Sequence, residues 1–257
     1  MLQKMDQTIN VFELPADVQR NREVVSGSCA VVIDVLRSTT TLTYAFGAGL
    51  SVIIPVLRVE DALAFRSSGI SGVILGGERG CRRIEQFDVS NSPSEMRPEV
   101  VKGKTMVFTS TNGALAMIAA NTAKKIALGS FVNIDALTDE LKTENRIVII
   151  CSGTEGKITS EDILLAGLIT EKLKEKNNEI ILDPIANSCL IAWNKESKKR
   201  SLLENLRISD GAKKLLQCGF DKDIEAAAKY NEINIVPHVN FNKINYEILG
   251  KNAKDYL

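Results

Sequence analysis

The stretch Ala30-Val-Val-Ile-Asp-Val-Leu-Arg-Ser-Thr-Thr-Thr41 carries the clearest indication of how this chain folds. Its apolar residues 30–33 predict a buried strand, a polar loop follows them, and a helical pattern covers residues 40–48. Apolar strands separated by helices are typical of a layered α/β/α fold with a covered, mostly parallel sheet, which we therefore predict. The same alternation predicts further strands at 52–56, 72–75, 105–108, 125–128, 146–150, 179–182 and 233–236, and further helices at 59–67, 114–121, 134–143 and 160–176.

Two segments repeat the same order of features at a nearly constant spacing. Asp34 lies 75 residues before Thr109, and Gly80 lies 76 residues before Gly156. Although α/β units of similar length also recur without duplication, this spacing favours an internal duplication. We predict one two-lobed unit of residues 1–257, with repeats at about 29–103 and 104–180 and with a helical segment and a final strand in 181–257.

The composition excludes several classes of function. The chain has 257 residues, with 32 Lys and Arg against 32 Asp and Glu, and 44% of its residues are hydrophobic. The balanced charge argues against broad binding to nucleic acid or anionic membranes, because such binding needs a basic surface. The single histidine, His238, excludes a zinc site with two histidines and leaves no second histidine as a catalytic base.

Cysteine usage and hydropathy indicate where the protein works. The five cysteines are scattered and include no CxxC pair, which favours reduced thiols. The first residues lack the apolar region of a signal peptide, and no stretch approaches the roughly 18 apolar residues of a membrane span. We therefore expect a cytoplasmic protein without nucleic-acid or membrane partners, and the sequence leaves its oligomeric state open, a homo-oligomer included.

Four loops that follow predicted strands are rich in Ser, Thr, Asn and Gly: residues 34–41, 76–83, 109–113 and 151–157. Ligands of open parallel sheets bind beyond the carboxyl ends of the strands, so we expect these loops to converge on one cleft. Hydroxyl groups and free backbone N–H groups at helix starts suit phosphate-like anions. These residue types are also ordinary turn residues, but four such loops at equivalent positions favour anion binding.

The segment 78–88 is the densest charged loop of the chain. Arginine forks bind phosphate, sulfonate or carboxylate, and carboxylates hold hard cations such as Mg²⁺. A solvated loop with weak ion pairs is the alternative, but its place directly after a predicted strand favours a binding role. Its charged residues are Glu78, Arg79, Arg82, Arg83, Glu85 and Asp88.

Three further acids lie near the predicted cleft. Asp34 ends an apolar strand, where an unpaired carboxylate is costly to bury, so it needs a partner such as a metal ion or Arg37. Glu155 lies in the fourth polar loop, and Asp162 follows that loop. Asp162 is also a favourable acid for the first turn of a helix after Ser160, and both interpretations stay open.

Six motifs follow one another along the chain: Asp34-Val-Leu-Arg-Ser-Thr-Thr40, Gly76-Gly-Glu-Arg-Gly80, Phe87-Asp-Val-Ser-Asn-Ser-Pro93, Thr109-Ser-Thr-Asn-Gly113, Gly129-Ser-Phe-Val-Asn133 and Cys151-Ser-Gly-Thr-Glu-Gly156. Together with Ser209-Asp-Gly-Ala212 and the closing Ile235-Val-Pro237, this ordered set resembles the 2-phosphosulfolactate phosphatase family. The resemblance runs from about Val32 to Val236, and the ordered set is far more specific than any single motif.

The resemblance implies Mg²⁺-dependent hydrolysis of (R)-2-phospho-3-sulfolactate to 3-sulfolactate and phosphate, a reaction of coenzyme M biosynthesis. It also implies an α/β fold with an internal duplication. The substrate carries phosphate, sulfonate and carboxylate groups, so cationic groups and N–H donors must lie close together in its site. Whether water attacks directly or a residue is phosphorylated first stays open.

On this family hypothesis, the acids hold the metal and the arginines bind the anionic ends of the substrate. We expect the Mg²⁺ ligands among Asp34, Glu78, Glu155 and Asp162. We expect catalytic roles for Asp34, Arg37, Glu78 and Arg79. The expected substrate-binding residues are Ser38, Thr39, Arg82, Thr109, Thr111, Asn112, Gly113, Ser152, Gly153 and Thr154.

Two other functions compete with this one. The motifs specify anion chemistry better than they specify a sulfonate, so a phosphatase for another small anionic phosphate ester is the first alternative. A non-catalytic protein that binds a phosphorylated metabolite is the second, with acids that only form ion pairs. Acids inside an anion-binding cleft argue against the second alternative, because they require a cation.

Overall fold

Two β-sheets form the centre of the protein in residues 6–241, the part of the chain that the structure, a computed structural model, describes. The strands are β1 (Thr8–Phe12), β2 (Cys29–Ile33), β3 (Val52–Pro55), β4 (Val73–Arg79), β5 (Arg82–Arg83), β6 (Thr105–Thr109), β7 (Lys125–Gly129), β8 (Arg146–Cys151) and β9 (Ile181–Leu182). Sheet A is parallel in the order β7-β2-β8-β1-β9. Sheet B has the order β3-β6-β4-β5, in which only β5 is antiparallel. The predicted α/β fold with mostly parallel sheets is confirmed.

Helices connect and cover these strands. They are α1 (Pro15–Arg20), α2 (Arg22–Val25), α3 (Ser38–Gly47), α4 (Val59–Ser67), α5 (Pro98–Val101), α6 (Gly113–Ala119), α7 (Ile134–Leu141), α8 (Ser160–Lys176), α9 (Pro184–Glu196), α10 (Leu202–Arg207), α11 (Asp210–Gln217) and α12 (Asp221–Ala227). Short 3₁₀ helices lie at Pro93–Glu95 and Phe131–Asn133. Within residues 6–241, no helix is long and apolar enough to cross a membrane.

The apolar strands set the layers of the fold. All five residues of β2 are buried, as expected for a central strand of a covered parallel sheet. Val31 and Ile33 pack on one face with α7, α8 and α9, whereas Ala30 and Val32 pack on the other face with α3 and α6. Helix α6 also contacts β3 and β6 of sheet B, and α4 packs on the far face of that sheet. A layer of helices therefore lies between the two sheets.

The two predicted repeats exchange strands between the sheets. In sheet A, β2 of the first repeat lies between β7 and β8 of the second. In sheet B, β6 of the second repeat lies between β3 and β4 of the first. Each repeat thus gives its first strand to one sheet and its next two strands to the other. This equivalence supports the duplication, whose boundaries, like the single unit of residues 1–257, stay predictions.

The structure adds strand β1, which the sequence pattern missed. Its residues alternate between half-buried and buried, so it lacks the continuous apolar run of β2. β1 pairs with β8 on one side and with the two-residue β9 on the other. Because β9 covers only part of it, β1 tolerates polar residues such as Asn10 that a central strand would exclude.

The predicted strand at 233–236 is wrong. The Asn133 side chain binds the carbonyl of Ile235 at 3.1 Å and holds this segment at the turn after β7. The chain reaches the edge of β7 only beyond it, where His238 forms an isolated antiparallel bridge with Ala127. The C-terminal part of the described chain is therefore helical after β9, followed by an irregular segment that covers β7.

Candidate active site

A pocket opens where the four polar loops meet, at the carboxyl ends of β2 and β8 of sheet A and of β4 and β6 of sheet B. The predicted convergence of these loops is confirmed. The empty space of the pocket, which includes space open to solvent, is about 440 Å³. Its walls are formed by Asp34, Leu36, Arg37, Ser38, Glu78, Cys81, Asn91, Thr111, Asn112, Thr154, Gly211, Lys214 and Leu215.

Asp34 lies directly after β2 and lines the pocket although it is almost completely buried. Its Oδ1 accepts the Ser38 N–H at 3.2 Å. Its Oδ2 faces Gly113, where an added Cβ would come within 2.5 Å of it, so only glycine leaves room for the carboxylate. Burial raises the pKa of Asp34 to about 6; hydrogen bonds from Ser38 oppose this rise and nearby Glu78 adds to it. A bound cation would keep this carboxylate ionised.

Hydroxyl and amide groups fix the loop around Asp34. The Thr39 hydroxyl accepts the Asp34 N–H and donates to the Asp34 carbonyl at 3.0 and 2.9 Å, so Thr39 supports the loop from behind the pocket wall. The Ser38 hydroxyl donates to Ser110 Oγ at 3.1 Å and accepts from Asn91 Nδ2 at 3.2 Å. Asn91, which sequence reasoning did not single out, lies within the quoted motif 87–93. Of the two predicted residues, Ser38 lines the pocket and Thr39 does not.

Glu78 is the second carboxylate of the pocket. Its Oε2 accepts the Cys81 N–H at 2.9 Å. Its Oε1 accepts the backbone N–H and the hydroxyl of Thr111 at 2.8 and 2.9 Å. These bonds join the loop after β4 to the loop after β6. Because a carboxylate oxygen accepts more than one bond, Oε2 keeps the capacity to bind a further group.

Arg37 is a buried cation that the C-terminal helices hold in place. Its Nη1 pairs with Asp223 of α12 at 2.7 Å, and its Nη2 donates to the Cys81 carbonyl at 2.8 Å. The guanidinium group lies 4.3 Å from the centre of the Phe220 ring, a distance typical of a cation–π contact. The second oxygen of Asp223 accepts the Ser92 hydroxyl at 2.7 Å. Arg37 thus lines the pocket in one orientation.

Asp162 joins two loops and does not line the pocket. Its Oδ1 accepts the Val35 N–H at 3.0 Å, and its Oδ2 accepts the Gly153 N–H at 3.0 Å and the Ser152 hydroxyl at 3.2 Å. Burial raises the pKa of Asp162 well above its usual range, and Glu161 adds to the rise. These contacts favour a positioning role over direct metal binding. Ser152 and Gly153, predicted to bind substrate, instead hold Asp162.

Glu155 is exposed, and its partner comes from α11. Its Oε1 pairs with Lys214 Nζ at 2.5 Å, and its backbone N–H donates to Asn112 Oδ1 at 3.0 Å. Lys214 lines the pocket, together with the predicted residues Asn112 and Thr154. Glu155, which we predicted as a metal ligand, therefore pairs with Lys214, a pocket residue that sequence reasoning missed.

Three further residues of the predicted site, Arg79, Arg82 and Thr109, do not line the pocket. Arg79 Nη2 instead binds the Leu57 carbonyl at 2.8 Å and Thr109 Oγ1 at 2.9 Å, and Arg82 lies exposed on β5. For Arg79, the reason is the alternation of side chains along a strand. Glu78 and Arg79 are consecutive in β4, so only one of them points into the pocket.

The acids of the pocket match the needs of Mg²⁺ only in part. Within residues 6–241, no group of three or more His, Cys, Asp and Glu side chains could hold a metal ion, so the four predicted ligands are not assembled. Mg²⁺ usually takes one or two carboxylates and completes its shell with water and substrate phosphate. Asp34 and Glu78 line one pocket and fit that requirement, whereas Glu155 and Asp162 do not.

Glu161 is a further buried acid beside the pocket. Its Oε2 is buried without a hydrogen-bond partner among the described residues. An added Cβ at Gly211 would come within 2.1 Å of its Oε1, so Glu161 lies directly behind the α11 wall of the pocket. Burial raises the pKa of Glu161 to about 7; Ser209 and Thr159 oppose this rise and Asp34 adds to it. Glu161 lies in the first turn of α8, and sequence reasoning did not single it out.

This pKa predicts how stability depends on pH. Between about pH 4.5 and 7, unfolded Glu161 loses its proton while folded Glu161 keeps it, so a rising pH favours the unfolded state. In the metal-free protein, this effect lowers the free energy of unfolding by up to about 3 kcal/mol between pH 4.5 and 8. We expect Glu161→Gln to abolish this decrease. Urea unfolding in EDTA at both pH values measures the difference from wild type. Glu225→Gln, at an exposed position, is the control, and equal pH dependence in wild type and Glu161→Gln would contradict the prediction.

Comparison with known proteins agrees with the motifs in this pocket. A family model described as 2-phosphosulpholactate phosphatase matches residues 13–242. A probable 2-phosphosulfolactate phosphatase of Thermotoga petrophila is 38% identical over 81% of this chain and 87% of its own. Proteins with the same description from Caldanaerobacter subterraneus subsp. tengcongensis and Clostridium novyi are 36% and 33% identical, over 80% and 94% of this chain and 86% and 99% of their own. The chain therefore belongs to the 2-phosphosulfolactate phosphatase family.

Proposed function

We propose that this protein is a Mg²⁺-dependent phosphatase that hydrolyses 2-phospho-3-sulfolactate to 3-sulfolactate and phosphate. The observation that carries the proposal is one pocket lined by two carboxylates, Asp34 and Glu78, and two cations, Arg37 and Lys214. The cations suit an anionic substrate, and the carboxylates suit a metal ion that accompanies it. Family membership supports the choice of substrate.

Asp34 and Glu78 would hold Mg²⁺ in this site. The bound metal would polarise the phosphoryl group and offset the negative charge of the transition state. The Ser38 N–H binds the Asp34 carboxylate, and Gly113 leaves room for it. The N–H groups of Cys81 and Thr111 bind the Glu78 carboxylate. Asp162 and Glu155 are not part of this ligand set because neither lines the pocket.

The remaining lining residues would bind and orient the substrate. Arg37 supplies fixed positive charge, because its contacts with Asp223 and Cys81 leave it one orientation. The amide of Asn112 and the hydroxyl of Thr154 can donate hydrogen bonds to anionic oxygens. Such preorganised groups stabilise developing charge without reorganising during the reaction.

We also propose that the reaction takes place in the cytoplasm. All five cysteines are free and four of them are buried, which supports a reducing compartment such as the cytoplasm. A place in coenzyme M biosynthesis, which the family resemblance implies, belongs to the same proposal. A homo-oligomer stays a prediction.

Phosphate release from racemic phosphosulfolactate, with EDTA and with added Mg²⁺, tests this function. We expect release only with Mg²⁺ and only from one enantiomer, so that it stops at half of the substrate. Absence of release under both conditions would refute the proposal. Faster turnover of phospholactate or phosphoglycerate would show that the pocket serves another phosphate ester, and tight binding without release would show a binding protein.

A further inference from the structure

Lys214 is a cation of the pocket whose only described ion pair is with an exposed acid. Its side chain is 41% exposed and Glu155 is 61% exposed. Exposed ion pairs contribute little stability, typically about 0–1 kcal/mol. Another anion can therefore replace Glu155 at little cost.

Arg37 has no such freedom. Both the arginine and Asp223 are almost completely buried, and breaking a buried ion pair is expensive. The two cations of the pocket thus differ in kind. Arg37 is fixed in place, whereas Lys214 has a flexible stem and a replaceable partner.

We propose that Lys214 is a specificity-determining residue that leaves Glu155 and binds the sulfonate of the substrate; this inference rests on the proposed function. Asp34, Glu78 and Lys214 line the same pocket, and the charge of Glu78 acts on both Asp34 and Lys214. The sulfonate is one carbon further from the phosphate than the carboxylate is, and a long lysine reaches it from α11.

The contacts of the charged groups agree with this division. The Arg37 guanidinium already binds Asp223 and the Cys81 carbonyl, whereas the Lys214 ammonium is a compact point charge paired with an exposed acid. A sulfonate carries three equivalent oxygens and suits such a point charge. Thr154 and Gly211 line the same pocket as Lys214.

The test compares two substrates that differ only in the sulfonate. With phosphosulfolactate, we expect Lys214→Met to raise KM at least about tenfold, the loss typical of one charge-assisted hydrogen bond. With 2-phospholactate, which has a hydrogen in place of the sulfonate, the same variant changes KM less than about twofold. Lys214→Arg keeps the charge and stays near wild type. Glu155→Gln removes the competing acid and lowers KM for phosphosulfolactate alone.

Lys213→Met is the matched control, because Lys213 lies on the same helix and pairs with the exposed Asp210. Calorimetric binding of 3-sulfolactate adds a readout that does not depend on turnover. Equal effects of Lys214→Met on both substrates, or unchanged 3-sulfolactate binding, would overturn the inference while the phosphatase activity stands. Weakened 3-sulfolactate binding in Lys214→Met without any turnover in wild type would instead support the inference and refute the phosphatase.

Discussion

Asp34→Asn is expected to lower kcat in the presence of Mg²⁺ by about a hundredfold to a thousandfold, which is the range for the loss of one preorganised electrostatic group. The asparagine keeps the shape of the side chain and can still accept the Ser38 N–H. It loses the negative charge that the proposed metal site needs. The loss should therefore fall on the reaction and on Mg²⁺ binding, with the fold intact.

The stability of the variant shows whether its lost activity has another cause than unfolding. Burial raises the pKa of Asp34 to about 6, so its ionised form destabilises the metal-free protein above that pH, and Asp34→Asn should be at least as stable as wild type at pH 8. Mg²⁺ should raise the melting temperature of wild type but not of the variant. Asp210→Asn, on the exposed start of α11, is the control. Full Mg²⁺-dependent activity in Asp34→Asn would remove Asp34 from the site.

Asp223→Ala is expected to lower the free energy of unfolding by about 3–5 kcal/mol, because it leaves the buried Arg37 without its counter-charge. The variant also frees the Ser92 hydroxyl and removes the link from α12 to the loop after β2. At roughly 2–4 °C for each kcal/mol, the melting temperature should fall by about 10 °C. Arg37 would lose its single orientation, so kcat/KM should fall as well.

Asp221→Ala on the same helix is the matched control. Asp221 pairs with Arg207 on the surface, and this substitution should cost less than about 1 kcal/mol. Replacing both buried partners, as in Arg37→Met with Asp223→Leu, should recover much of the stability but not the activity. If Asp223→Ala changed the unfolding free energy no more than Asp221→Ala does, the buried pair would not hold this part of the fold.

The α/β fold and the location of the site could be predicted because both follow from local patterns. Apolar runs such as 30–33 indicate buried strands, and parallel strands bring their carboxyl ends to one edge. Strand β1 escaped this reasoning because it lacks a continuous apolar run. It pairs with β9 over only two residues, and this partial pairing allows polar residues in β1. The helices Val59–Ser67 and Ser160–Lys176 coincide with the predicted ranges.

The members of the site were harder to predict than its location. Adjacent residues of one strand or helix carry the same sequence signal, but packing sends them to different places. Glu78 faces the pocket while Arg79 binds Leu57. Asp162 joins two loops while Glu161 lies behind Gly211. Only the register and the neighbours of each element decide between such pairs.

The sequence by itself determined that polar, anion-binding loops follow buried strands, because strand periodicity and loop composition are local properties. The tertiary structure alone decided which charges enter the pocket. Lys214 and Gly211 come from α11, far along the chain from Asp34, and Asp223 of α12 orients Arg37. Their roles arise from distances in space, which follow from how the C-terminal helices pack over the ends of the strands.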